Sequence, residues 1–289
     1  MGIIFKFLFI SYTLLNLGDF YIAPRPVENG LLLTGSKFQG IYLLRFSDTT
    51  VSKIADGNAF SLRISSDGTK ILFNNSDTVV LYDMNKGKIS RFFSNRLLGY
   101  PVFLNDSSIL IPNQGRAVLL TEDLNNVKEI YSFSYSYASS AQNLVAFQRN
   151  DSIFLFDLNK NQVKLLKGGD GIYYMPEISP DGRYISYSKL GEGIYVLNLN
   201  SGEQIFIGKG GNVSWHPSSK FLVFSLLLDD GHDITSGDLY VFDLERRIAI
   251  KFTETMDVYE HLPVFSLDGK GIYFSTIDGK IGVIQFEIK

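Results

Sequence analysis

The sequence predicts an all-β chain: a single β-propeller of four-stranded antiparallel blades, seven by count, closed into a ring by an N-terminal strand. Three observations predict it. A turn of the Ser-x-Asp-Gly type recurs, most fully as Ser179-Pro180-Asp181-Gly182. Equivalent turn positions at 67, 106, 141, 181, 218 and 268 lie 35 to 50 residues apart, and a period near forty is the size of a four-stranded blade. Each unit also holds a nearly unbroken apolar run such as Ile194-Tyr195-Val196-Leu197, the mark of a strand covered on both faces. One such sheet exposes two apolar faces and must stack on copies of itself.

The clearest unit runs from Ile178 to Gly202. Pro180 presets φ for a turn, Asp181 accepts hydrogen bonds from its own backbone, and Gly182 takes φ > 0 without a Cβ clash. Tyr184, Ile185 and Tyr187 supply a strand. Gly191 and Gly193 flank the next reversal, Asn200-Ser201-Gly202 ends the third strand, and Gln204 to Ile207 makes a fourth.

The other units follow in chain order. Residues 1–18 stand apart: one positive charge before Phe7, then an apolar run to Leu17 that fits a signal-peptide core and is too short for a membrane-spanning helix. The competing reading makes Ile3 to Ser11 a buried strand. Residues 19–289 form the propeller. Unit one has Tyr21 to Pro24, the Glu28-Asn29-Gly30 turn, Leu31 to Leu33 and Ile41 to Leu44. Unit two has Ser65-Ser66-Asp67-Gly68, Ile71 to Phe73 and Val79 to Met84. Unit three carries Asn105-Asp106-Ser107 as its turn, then Ile109 to Ile111 and Ala117 to Leu120. Unit four opens on Tyr131-Ser132-Phe133-Ser134-Tyr135-Ser136-Tyr137, an alternation that predicts a strand with aromatics on one face. Unit six has Trp215-His216-Pro217, Phe221 to Phe224 and Leu239 to Leu244; unit seven has Ser266-Leu267-Asp268-Gly269, Ile272 to Phe274 and Ile281 to Ile284.

Unit seven supplies three strands, and an unpaired sheet edge is a liability. An N-terminal strand, Phe20 to Ala23 or Ile3 to Ser11, is expected to pair there. If the earlier segment does so it is not cleaved, and a cytoplasmic location replaces the periplasmic or secreted one that a signal peptide implies.

The chain has 27 basic and 30 acidic residues, a net charge of −3, and no Lys/Arg run, which excludes nucleic acid as a partner on electrostatic grounds. With no cysteine there is no disulfide, thiolate metal site or cysteine nucleophile. There is no Gly-x-Ser-x-Gly, Walker loop or dinucleotide fingerprint, and no cofactor is expected.

The Asp-Gly pairs, and Asp83, Asp157 and Asp243 at strand ends, recur in blade after blade, as structural turns do. The distinctive stretch is the insertion in unit six between its second and third strands. Its Asp229, Asp230, His232, Asp233, Thr235 and Asp238 concentrate carboxylates, an imidazole and a hydroxyl, without the spacing of an EF-hand. His216 follows Trp215 at a strand end and reads as structural. His232 and His261 read as loop residues, and two scattered histidines do not make a metal centre. Asp229, Asp230, His232, Asp233, Thr235, Asp238 and His261 are therefore the candidate ligand- or partner-binding residues, with no catalytic or metal residue assigned. Tyr173, Tyr174 and Tyr259 are candidates for an aromatic surface.

Ser179-Pro180-Asp181-Gly182, Ser65-Ser66-Asp67-Gly68, Ser266-Leu267-Asp268-Gly269 and the Tyr82-Asp83, Phe156-Asp157 and Phe242-Asp243 pairs resemble the TolB-type propeller repeat of bacterial envelope proteins. The resemblance implies a propeller over about residues 20 to 287, six-bladed in many relatives. The family includes periplasmic assembly proteins, peptidase-attached propellers and some sugar lyases. The expected function is a non-enzymatic, exported scaffold of the cell envelope, monomeric, without a membrane span, that captures a protein or polymer partner through the 229–238 loop. The alternative is a lyase or hydrolase acting on a sugar or peptide in the central channel, for which His232 and His261 must converge with carboxylates.

Overall fold

The computed structural model describes residues 7–93, 99–104 and 108–288, with the backbone alone at 58–60. Among these residues five four-stranded sheets and one seven-stranded sheet make a β-propeller of seven four-stranded antiparallel blades. The seven-stranded sheet is two blades sharing one long strand, Val51–Ile64, which ends blade 1 and opens blade 2. The one helical element described is the 3₁₀ turn Ser36–Phe38. Seven blades, not six, is the count. The chain divides into two compact units, residues 1–54 with 210–289, and residues 55–209.

The first unit holds blades 1, 6 and 7. Blade 1 has Ile22–Val27, Gly30–Thr34 and Gln39–Arg45 before the shared strand. Blade 6 has Gly211–Trp215, Phe221–Asp229, Ile234–Asp243 and Ile248–Lys251. Blade 7 has Glu260–Phe265, Gly271–Thr276 and Ile281–Ile288. Its fourth strand comes from the N-terminus: Phe7–Leu15 runs antiparallel to Ile281–Ile288, with Phe7 opposite Ile288 and Leu15 opposite Ile281. The expected closure is thus made by the earlier segment, shifted toward the C-terminus of the predicted range; Ile3 to Lys6 lie outside the described residues. Phe20 to Ala23 instead leads into blade 1. Apolar burial selects this pairing: the Phe7 ring meets Phe221, Phe252 and Phe286 edge-on at 5.0 to 5.6 Å.

The second unit holds blades 2 to 5. Blade 2 continues with Lys70–Asn75, Thr78–Asp83 and Lys88–Phe93. Blade 3 has Val102–Leu104, Ser108–Asn113, Arg116–Thr121 and Val127–Tyr131, and its predicted turn at Asn105-Asp106-Ser107 lies outside the described residues. Blade 4 has Tyr137–Ala141, Leu144–Arg149, Ser152–Asp157 and Gln162–Lys167. Blade 5 has Tyr173–Ile178, Tyr184–Lys189, Gly193–Asn198 and Gln204–Gly208.

One predicted strand is absent as a strand. Residues 132–136 lie between the last strand of blade 3 and the first of blade 4 and join no ladder. The alternation there is real but serves packing: Tyr131, Phe133 and Tyr135 are buried with Phe147 and Phe156 of blade 4, while Ser132 and Ser136 stay exposed. A period of two records which face is apolar, not which backbone partner is found.

The recurrent turns are one hydrogen-bonded device. Ser179 Oγ donates to Asp181 at 2.7 Å, Asp181 accepts from the Arg183 N–H at 3.0 Å, and the Tyr184 N–H returns to Ser179 Oγ at 3.0 Å. Ser65 with Asp67, and Ser266 with Asp268, repeat it. Asp83, Asp157 and Asp243 accept backbone N–H groups of the turns that follow them.

Candidate functional site

The acidic insertion of blade 6 is mostly strand. Asp229 ends one strand, Ile234 begins the next, and only residues 230–233 form the turn. Two of its carboxylates serve that turn: Asp229 accepts the Gly231 N–H at 3.0 Å, and Asp230 accepts those of His232 and Asp233, both at 2.9 Å; Asp233 is exposed. Thr235 donates to the Leu228 carbonyl at 3.3 Å, and His232 is exposed at the tip. The expected loop over residues 229–238 is thus a strand hairpin with a short turn.

Asp238 and His261 sit deeper. Asp238 is 8% exposed and pairs with Lys251 at 3.2 Å. His261 is a strand residue opposite Ser275, not a loop residue; burial lowers its pKa, and among the described residues its Nε2 has no hydrogen-bond partner. Its chain neighbour Glu260 is fully buried and receives hydrogen bonds from Thr253 (2.6 Å), Thr255 (3.0 Å) and Tyr12 (3.0 Å). Burial raises the Glu260 pKa; the three hydroxyls oppose the shift and Asp238 reinforces it. This network ties the N-terminal strand to blades 6 and 7.

His216 is structural, as its place at a strand end suggests. Its Nδ1 accepts the Ser218 N–H at 3.0 Å, so the proton sits on Nε2, which donates to the Gly269 carbonyl at 3.0 Å. Tyr173 and Tyr174 lie in the first strand of blade 5, and Tyr173 is buried against Tyr187.

A different set of residues converges in the second unit. Arg63, on the first strand of blade 2, places its guanidinium 5.5 Å from the Tyr100 ring centre and 5.2 Å from that of Tyr137. It donates to the Ala138 carbonyl at 2.8 Å. Tyr137, on the first strand of blade 4, donates through its hydroxyl to Glu177 on the first strand of blade 5. All four side chains are half-buried. Burial works to lower the Arg63 pKa, but Tyr137 and Glu177 outweigh it and the net shift is upward. Burial raises the Tyr100 pKa against the opposing pull of Arg63, so its hydroxyl stays protonated at neutral pH.

Local structure aims these groups. The ladder is bulged between Asn58 and Arg63 and again between Tyr174 and Glu177, with Met175 at φ 50° just before Pro176; a bulge re-aims the side chains beside it. Ser139 locks blade 4 to blade 5, donating to the Pro176 carbonyl and accepting from the Ile178 N–H, both at 2.9 Å. The signal for this site was present but unread: Arg63 and Glu177 each stand two residues before the turn serine, Ser65 and Ser179, where blade 7 has Val264. A charge recurring at that register of an otherwise apolar strand marks a side chain that the sheet packing does not use.

No family model matches the chain. A stretch of 91 residues is 28% identical to the protein TolB homolog of Chlorobaculum tepidum, covering 29% of this chain and 21% of that protein, so the chain spans about a fifth of the length of the curated relative it matches. The TolB-like character read from the repeats is thus shared with a curated TolB homolog over part of the chain. Two solved structures are similar over nearly the whole chain. One is an oligogalacturonate lyase from Vibrio parahaemolyticus, with a TM-score of 0.72, 13% identity, and coverage of 96% of this chain and 97% of the other. The second is an oligogalacturonate lyase in complex with manganese, with a TM-score of 0.69, 13% identity and 98% coverage of both. At that identity the likeness shows the fold alone.

These similarities overturn the expectation of a non-enzymatic scaffold. The two solved structures named above, alike over 96–98% of this chain, are oligogalacturonate lyases, which favours the enzyme alternative. The described residues do not, however, fit a resident metal ion. No three His, Asp or Glu side chains converge among them. Both ring nitrogens of His216 are engaged, His232 is at an exposed tip, and His261 offers one isolated nitrogen. No helix among the described residues is long and apolar enough to cross a membrane.

Proposed function

We propose that this chain is a propeller-fold lyase acting on acidic, uronate-containing oligosaccharides, with its reactive centre at Arg63, Tyr100, Tyr137 and Glu177. One observation carries the reading: a guanidinium, two phenols and a carboxylate meet at half-exposed positions of four blades. The likeness to oligogalacturonate lyases supports it at the level of fold.

The chemistry asks for three things. Arg63 neutralises the uronate carboxylate, which acidifies the neighbouring C–H; a planar guanidinium suits a carboxylate in two-point contact. Tyr137 hands its own proton to Glu177 and takes the carbon-bound one. The freed electron pair forms a carbon–carbon double bond as the adjacent C–O bond breaks, and Tyr100 gives its proton to the leaving oxygen.

The test is incubation with oligogalacturonate while following ultraviolet absorbance of the unsaturated product. Product is expected from the wild type, reduced by about 10²-fold or more in Arg63→Gln. No product from a folded wild type would sink the reading.

The likeness to TolB supports a periplasmic location; the pairing of residues 7–15 with blade 7 opposes cleavage beyond them, so the location rests on the TolB likeness and not on a removed signal peptide. Residues 7–15 complete blade 7, so the mature protein is expected to keep them. Terminal sequencing of material from its source checks this, and a mature chain starting beyond Leu15 would refute it.

A further inference from the structure

We propose that a polar cleft beside the reactive cluster is a second subsite, which holds the carboxylate of a neighbouring, unreacting uronate residue through Arg149. This rests on the lyase reading above and extends it to substrate length and charge.

The cleft lies within the second unit and has a volume of about 170 Å³. Residues 112–115, the hairpin between the second and third strands of blade 3, form one wall. Residues 134–136, leading into blade 4, and residues 149–150, the corresponding hairpin of blade 4, form the others. On the same measure one water needs about 10–15 Å³, so the cleft has room for a sugar ring.

Arg149 carries the argument. Its guanidinium lies 4.5 Å from the ring centre of Phe154, half-buried, and among the described residues no carboxylate pairs with it. The equivalent position in blade 5 shows that this is not a habit of the fold. Arg149 and Lys189 each end the second strand of their blade. Lys189 is matched by Asp170 at 3.3 Å and Glu192 at 2.8 Å. The blade 4 cation instead has an aromatic platform and an open polar cleft. An aromatic face orients a guanidinium without neutralising it, which leaves its charge for a ligand. Gln114, Asn150 and Ser134 add amide and hydroxyl groups of the kind that sugar hydroxyls bind.

The cleft and the cluster share a wall. Ser136 lines the cleft and its chain neighbour is Tyr137. The Ser136 carbonyl accepts the Tyr100 N–H at 3.1 Å, and its own N–H donates to the Gln148 carbonyl at 2.9 Å. On this proposal one acidic oligosaccharide lying along that wall gives one carboxylate to Arg63 and another to Arg149.

The test is calorimetric titration of the full chain with trigalacturonate at low temperature, with recovered ligand checked for intactness and neutral galactotriose as control. Arg149→Gln is expected to weaken trigalacturonate binding about tenfold, the size of one charge-assisted contact, with the melting temperature kept. Asn150→Asp, which puts a negative charge on the rim, should weaken it in the same direction. Wild-type affinity in both variants, or equal binding of the neutral trimer, overturns the subsite. Arg149-dependent binding without any unsaturated product keeps the subsite and removes the lyase reading; product formation with Arg149 irrelevant does the reverse.

Discussion

Glu260 and Glu177 occupy the first strands of blades 7 and 5 and each accepts a tyrosine hydroxyl, yet their surroundings differ. Glu260 is fully buried and surrounded by the hydroxyls of Tyr12, Thr253 and Thr255. Glu177 is half-buried and holds Tyr137 beside the Arg63 cation. In the first place every donor comes from a neutral group of the protein, so the carboxyl works as a knot between the N-terminal strand and its blades. In the second a cation and two phenols remain partly open to solvent, an arrangement that stability does not require. A charged residue on a propeller's inner strand is thus uninformative until its exposure and partners are known.

The strongest way to break this contrast is Glu177→Gln. It should lower kcat on oligogalacturonate about a hundredfold with little change in KM, as expected for losing one proton acceptor, and leave the melting temperature nearly unchanged. A fall in melting temperature with kcat intact would make Glu177 a second structural knot.

Next in size is Tyr12→Phe, which leaves a buried carboxyl short of a donor. It should cost about 2 kcal/mol, on the order of 5 °C in melting temperature, without touching turnover. Glu260→Gln adds a pH signature. Because burial raises the folded pKa of Glu260 above its ordinary value, its contribution is full below about the ordinary carboxyl range and is lost as pH rises through the folded value. The stability of Glu260→Gln relative to wild type should therefore increase with pH. The buried histidines His216 and His261, with lowered pKa values, act in the opposite sense but are common to both proteins and cancel. Parallel pH curves would show that Glu260 does not titrate as its burial implies.

A smaller effect compares the two blades at the same turn. Gly182 and Gly269 both have φ of +71°, so alanine costs each roughly 1–2 kcal/mol. At Gly182 the added Cβ meets Gln142 at an ordinary 3.5 Å, whereas at Gly269 it falls on His216 Nε2. Gly269→Ala should be the more destabilising of the two by about 1 kcal/mol, read from denaturant midpoints; equal costs would mean that His216 moves aside freely. The least effect belongs to His232→Ala at the exposed hairpin tip, expected within about 0.5 kcal/mol of wild type and without effect on turnover. A drop in activity there would return the acidic hairpin to the site.

Much of the architecture was legible because its causes are local. The turn around Asp181 is written in six consecutive residues, from the Ser179 hydroxyl to the Tyr184 N–H, and a unit that cannot stand alone announces its own repetition. Even the pairing of the N-terminus with the last blade followed from a missing fourth strand. The misreadings came where one pattern has two physical outcomes. Alternating aromatics at 131–137 specify a buried face in a strand or in a connection alike, and the polar insertion at 229–238 reads as a loop where the structure has two strands and a short turn.

From the amino-acid order alone came the blade, its period, its turn chemistry and the need for a terminal strand, since each depends on neighbours in the chain or on an edge that must be paired. Only the tertiary structure decided that Arg63, Tyr100, Tyr137 and Glu177 meet, that Glu260 is buried, and that Arg149 has, among the described residues, none of the carboxylates that pair with its counterpart Lys189. Those outcomes depend on how blades stack and where bulges rotate a side chain, and a one-residue change of register sends a group to the opposite face of its sheet.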